Sequence, residues 1–152
     1  GGIWYGNDTV WRAVLDLNRI LLYADKNGVM QTTQQREYLT ILDAVYAGEN
    51  HGPLKPDKKV CNTILVGSNP AAVDTVACAI MGYDYKKVPT VREGYRVKKY
   101  PLINTEAENI VLISDSKEFN EKKLADISWD TSFQFVPQFG WKGHIELSET
   151  ER

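Results

Sequence analysis

Three short clusters in this sequence carry side chains able to do chemistry. The first is Asp43 with Glu49, Asn50, His51, Gly52 and Pro53. A carboxylate, an amide and an imidazole at consecutive positions can transfer a proton or supply two ligands to a metal ion. Gly48 and Gly52 allow close approach to the backbone, and Pro53 restricts the shapes open to His51 and Gly52. The structural alternative is a polar surface turn, because turns favour the same residue types. Asp43 stands between Leu42 and Ala44 in an apolar run. It is therefore expected to be shielded from water, and so to be paired, hydrogen-bonded or protonated. It would then either orient a neighbouring group or cap backbone N–H groups of a nearby loop.

The second cluster is Gly67-Ser68-Asn69-Pro70, where a strand gives way to a helix. Free N–H groups at a helix start can hold an anion. The stretch lacks the Gly and Lys pattern of a phosphate loop, so helix capping is the stronger reading. Asp74, in the first turn of that helix, suits the helix dipole and can also face the same edge as Glu49. The third cluster is Asp16, Asn18 and Arg19. Asn18 falls on the apolar side of a helix and needs a hydrogen-bond partner, for which a loop backbone is expected. His144, near Trp141, reads as a tail contact. There is no Ser-His-Asp ordering, no Cys-His pair and no dinucleotide fingerprint. Cys61 and Cys78 have no metal-ligand spacing and read as buried, reduced core thiols.

The elements that must position these groups follow from periodicity. A helix capped by Asn7 or Asp8 is expected to run to about Ala24, with Val10, Val14, Leu17, Leu21 and Ala24 as its apolar stripe and Trp11, Leu15 and Leu22 widening it. Asn27 or Gly28 stops it. Residues 39–47 read as an interior strand covered on both faces, because both parities are apolar. Pro56 to Lys59 read as exposed loop, and 60–66 as a second strand. Pro70 to Met81 reads as a helix with Asn69 as N-cap and Gly82 as its end. Tyr85 to Tyr100 is basic, amphipathic and partly helical after Pro89, and 109–114 reads as a third strand. Strand, helix, strand in this order implies a right-handed parallel crossover. The expected fold is α/β: a mixed, largely parallel sheet of few strands covered by helices. Residues 1–152 form a single domain in this reading, with an irregular aromatic tail over 115–152. Trp129, Phe133, Phe135, Phe139 and Trp141 in that tail must pack on the domain or on a partner segment.

The chain has 152 residues, 43% hydrophobic and 25% charged, with a net charge of −2. That suffices for one domain with a real core. The absence of a basic stripe argues against a nucleic-acid partner. The longest apolar runs fall far short of the roughly 20 residues of a membrane span. With two cysteines and no secretory signal, a cytoplasmic location is expected. The opening Gly1-Gly2-Ile3-Trp4 lacks methionine, and the chain is read as a C-terminal piece of a longer protein whose N-terminal portion is its expected partner.

Several motifs in order resemble one family. They are Leu42-Asp43-Ala44, Gly48-Glu49-Asn50-His51-Gly52-Pro53, Ile64-Leu65-Val66-Gly67-Ser68, Ala72-Val73-Asp74-Thr75-Val76 and Met81-Gly82. Together they look like the uncharacterised prokaryotic family called domain of unknown function 362. The likeness spans Trp4 to Pro101 and corresponds to that family's carboxy-terminal half. The stretches Gly6-Asn7-Asp8-Thr9-Val10-Trp11-Arg12 and Leu15-Asp16-Leu17-Asn18-Arg19 look like a subgroup. The resemblance maps recurring acidic and glycine positions onto Asp43, Glu49, Gly52 and Asp74 and transfers no mechanism. Many members carry an iron–sulfur segment. Four clustered cysteines are needed for that, and this chain has two distant ones, so no cluster is expected here.

Two functional readings follow. In the first, the chain is an enzyme domain binding a small polar or anionic substrate, with a divalent metal as one option. Asp43, Glu49, His51 and Asp74 are then the catalytic candidates. Asn50, Gly52, Ser68, Asn69, Asn18 and Arg19 are the ligand contacts. In the second, it is a non-catalytic ligand-binding or docking module of a larger protein.

Overall fold

The computed structural model describes residues 4–130 and 132–148. The expectations about Gly1 to Ile3, and about the last four residues of the tail, lie outside these. Helix α1 spans Val10–Tyr23. Asn7 starts it, its side-chain oxygen accepting from the N–H groups of Thr9 and Val10. The buried stripe is Leu15, Leu22 and Tyr23, with Trp11 packed beside them, while Val10, Leu17, Ile20 and Leu21 are exposed. The residues expected merely to widen the stripe thus form its centre. Asn18 donates to Val14 O at 2.8 Å within its own helix rather than to a loop. Gly28, at φ +80, turns the chain after the helix.

Strands β1 (Thr40–Glu49) and β2 (Asp57–Gly67) form an antiparallel hairpin. So short a connection can only join antiparallel neighbours. Asp57 to Lys59, expected in a loop, belong to β2. The register slips between Ala44 and Tyr46: Val45 faces both Cys61 and Asn62, and Asn62 takes φ +49. This is a β-bulge with an asparagine in the left-handed conformation that asparagine tolerates. The slip changes which parity of β1 points inward, from Leu42 and Ala44 to Ala47 and Glu49. Part of the two-faced apolar character of β1 comes from that switch. The rest is an apolar outer face in solvent, so β1 is not an interior strand.

Helix α2 (Pro70–Met81) packs under the hairpin. Asn69 caps it by accepting from Ala72 N, and Gly82 ends it in the left-handed region. A Cβ on Gly67 would lie 2.6 Å from Val73 Cγ2, so only glycine lets β2 close onto α2 here. Fully buried Thr75 hydrogen-bonds Ala71 O and the Tyr95 hydroxyl, each at 2.7 Å, joining α2 to the residue that ends the short helix α3 (Pro89–Gly94). A second small antiparallel sheet pairs β3 (Val111–Leu112) with β4 (Lys122–Lys123).

Three apolar clusters hold these elements. Cys61, Cys78, Tyr83, Val91, Phe135 and Ile145 form the first, with Phe133 and Trp141 of the tail packed on it. Leu15, Leu22, Tyr23 and Leu102 form the second. In the third, Val76, Ala79 and Leu124 gather Leu65 of β2 and Ile110 and Leu112 of the β3 region. The protein is therefore mixed α/β, but the expected parallel sheet does not form. Among the described strands both pairings are antiparallel. The order strand, helix, strand is present, but it makes no parallel crossover: β3 is two residues long and lies in a different sheet from β2. A gap lies between them.

Candidate functional site

The acidic turn is where the chain crosses itself. Glu49 ends β1 with its side chain only 16% exposed. Its Oε2 accepts from Lys59 Nζ at 2.7 Å and from Val136 N at 2.8 Å. Asn50, at φ +64, returns the contact by donating its N–H to Val136 O at 2.8 Å, and its amide Nδ2 donates to Asp57 Oδ2. Lys59 also lies over the Phe135 ring, 5.0 Å from its centre. Together these contacts clamp the tail to the end of the hairpin. A Cβ on Gly48 would meet Pro56 at 2.7 Å, which accounts for that glycine by packing. His51 is exposed, its carbonyl accepting from Lys55 N, and Gly52 is half-buried.

Asp43 departs from expectation: it is exposed, on the outer face of the hairpin. Its Oδ1 accepts from Val45 N at 2.9 Å, the amide at the bulge. The acid in the apolar run thus satisfies an N–H that the register slip takes out of the ladder. Asp74 is also exposed and lies past the first turn of α2, which holds no acid, so it is not the helix-start charge that was expected; the protein around its carboxyl raises its pKa by desolvation, and its exposure limits the rise. Ser68 is exposed, and Asn69 donates to Leu102 O while capping α2. Arg19 pairs with Asp16 at 2.9 Å and lies near the Tyr100 ring, with its Nε buried and unbonded.

The candidates therefore do not converge. Glu49, Asn50 and Gly52 share the turn end of the hairpin, while Asn18 and Arg19 sit on α1. Ser68 and Asn69 line a groove elsewhere. Among the described residues no three His, Cys, Asp or Glu side chains gather in a way that could hold a metal ion. Cys61 and Cys78 are free and buried in one cluster. Burial, reinforced by the charges of Asp74 and Asp84, pushes the Cys78 thiol up to about 12, and burial also raises Cys61. Neither thiol suits nucleophilic work.

Two features escaped the sequence. Lys59 is the cation that engages Glu49, and a charge pair across a hairpin was the available signal. The other is an open groove of about 990 Å³. Ala72, Val73, Val76 and Ile80 of α2 lie along it, between the edge of β2 over 62–66 and the β3 region over 110–113. Beside it lies the outer hairpin face, where Ile41 and Tyr46, each 64% exposed, stand opposite Val66 and Val60, and the exposed Asp43 between them stands opposite Ile64. No helix among the described residues is long and apolar enough to cross a membrane.

Fold and site define a class first: a mixed α/β domain whose acidic hairpin end is clamped to its own tail and whose outer sheet face is open. The family model described as Domain of unknown function (DUF362) matches residues 4–79, half of the chain, and the chain belongs to that family. The matched span holds α1, the whole hairpin and most of α2. Neither the curated proteins nor the solved structures yield a match.

Proposed function

We propose that this chain is a non-catalytic docking module, and that the outer face of its hairpin receives the N-terminal portion of a longer parent protein. The observation that carries this reading is the exposed apolar face formed by Ile41, Tyr46, Val60, Ile64 and Val66. Branched and aromatic side chains on one sheet face are ordinarily covered by a helix or second sheet. Here α2 covers only the inner face. The turn that looked catalytic supports the same reading, because its best acid, Glu49, is occupied by Lys59 and Val136.

Expressing the 152-residue chain and the N-terminal portion of the parent as two polypeptides tests this. The two are expected to co-elute on gel filtration. The double substitution Ile41→Lys with Tyr46→Lys is expected to separate them while leaving the chain folded by circular dichroism. Co-elution that survives both lysines would exclude this face as the contact. Assigning catalysis to Asp43, Glu49, His51 and Asp74 is the competing proposal. It requires that Glu49→Gln abolish an activity of the parent without altering its melting temperature.

A further inference from the structure

We infer that the cleft beside α3 binds a short peptide with free ends, its carboxylate held by Arg92 and Arg96 and its ammonium by Glu106 and Glu108. Residues 85–100 carry six Lys and Arg and one acid in a chain of net charge −2, so positive charge is concentrated there. The cleft, of about 520 Å³, is lined from that stretch by Lys86, Arg92 and Arg96. Its acids, Glu106 and Glu108, come from the short 3-10 turn Ala107–Asn109 and the residue before it. A cleft of this volume suits a dipeptide better than a single amino acid.

The arginines are held ready. Glu93, its side chain 17% exposed, accepts from Arg92 Nε at 2.8 Å and from Arg96 Nη1 at 3.1 Å through the same oxygen. One carboxylate thus anchors two guanidiniums side by side. Each keeps N–H groups without a partner among the described residues. Such N–H groups match a carboxylate in paired hydrogen bonds, and an anchored fork loses little freedom on binding.

The acids are held apart from these cations. The carboxylate of Glu106 has no hydrogen bond or ion pair among the described residues. Glu108 accepts from Tyr85 Oη at 3.3 Å and meets Lys86 Nζ only at 3.9 Å. Burial and the charge of Glu108 raise the pKa of Tyr85, which keeps that hydroxyl a donor. Both signs of charge therefore border one cleft and stay largely unjoined. A ligand with one charge is drawn to one set and repelled by the other, whereas a ligand charged oppositely at its two ends satisfies both. The rings of Tyr85 and Tyr95, 5.8 Å apart, offer apolar surface to the body of the peptide.

Titrating the nitrogen-15-labelled 152-residue chain with glycyl-leucine, read by NMR, tests this. Amides of 85–86, 92–96 and 106–108 are expected to shift together and to saturate. N-acetylglycyl-leucine lacks the ammonium, and glycyl-leucine amide lacks the carboxylate. Each is expected to bind at least about tenfold more weakly, as for the loss of a charge-assisted hydrogen bond. Arg96→Met, at a side chain 67% exposed, and Glu106→Gln should each weaken glycyl-leucine by a similar factor and leave the circular dichroism unchanged. Of the two, only Arg96→Met should also weaken the acetylated peptide. The absence of a saturable shift at these amides overturns the inference. Acetylated peptide bound as tightly as the free one leaves the glutamates without a role and overturns it as well. Equal binding of the amide does the same through the arginines.

Discussion

At the turn end of the hairpin, Glu49 and Asn50 spend their polar groups on Lys59, Asp57 and the tail backbone at Val136. Along the outer face of the same hairpin, Ile41, Tyr46, Ile64 and Val66 stand in water. Composition alone points the other way, towards a reactive acidic turn and a buried apolar strand. The difference teaches that a side chain's chemistry is open to function only where the fold leaves it unsatisfied. At the turn of this hairpin the polar groups are satisfied, while the apolar groups of its outer face stand uncovered.

Removing the clamp should give the largest effect. Glu49→Ala strips a mostly buried carboxylate from an ammonium and a backbone N–H. It is expected to lower stability by about 2–3 kcal/mol, read from urea denaturation. A loss below ~0.5 kcal/mol would mean that the turn is held by something else and would erase one side of the comparison. Next come neighbouring residues on β2. Leu65→Ala, facing the α2 cluster, should cost about 2 kcal/mol. Ile64→Ala, facing outward, should cost less than about 1 kcal/mol. Equal losses would show that both faces are covered.

Much of the framework was legible in the residues. Asn69, Pro70 and Gly82 marked α2 because capping and positive φ are local demands. At α1 the signals were looser: Asn7 holds the Thr9 and Val10 amides, but Thr9 is the N-cap, and the helix ends at Tyr23 with extended Ala24 as its C-cap, four residues before Gly28. The hairpin partner and the bulge were not legible. Both depend on register, and a bulge shifts parity in a way that mimics a strand buried on two sides. Asp43 illustrates the cost: the run around it implied burial, whereas the fold uses it to hold the Val45 amide. The clamp at Glu49 was hidden because Val136 lies 87 residues away along the chain. The parallel sheet was inferred from a strand, helix, strand order, but the strands at its two ends lie in different sheets and form no crossover.

Smaller effects refine the contrast. Asp43→Ala removes one exposed hydrogen bond and should cost about 0.5–1 kcal/mol; a loss near 3 kcal/mol would mean that the acid is covered after all. Asp74 gives the smallest effect and a distinct sign. Its folded pKa is raised by desolvation, so the folded protein holds the proton more tightly than the unfolded chain. Stability therefore falls as pH rises from the ordinary aspartate range through the folded pKa. Asp74→Asn is expected to be slightly stabilising at neutral pH, an advantage that disappears in acid below the ordinary range. A gain independent of pH would rule out desolvation as its origin.

The outer face is tested most directly by labelling a cysteine placed there. Cys61 and Cys78 are buried and should stay unreactive in the folded protein, leaving Ile41→Cys as the reporter. Its reaction with a maleimide is expected to be fast in the 152-residue chain and at least about tenfold slower in the full-length parent, as for a site that docking removes from water. Equal rates in the two would contradict docking through this face.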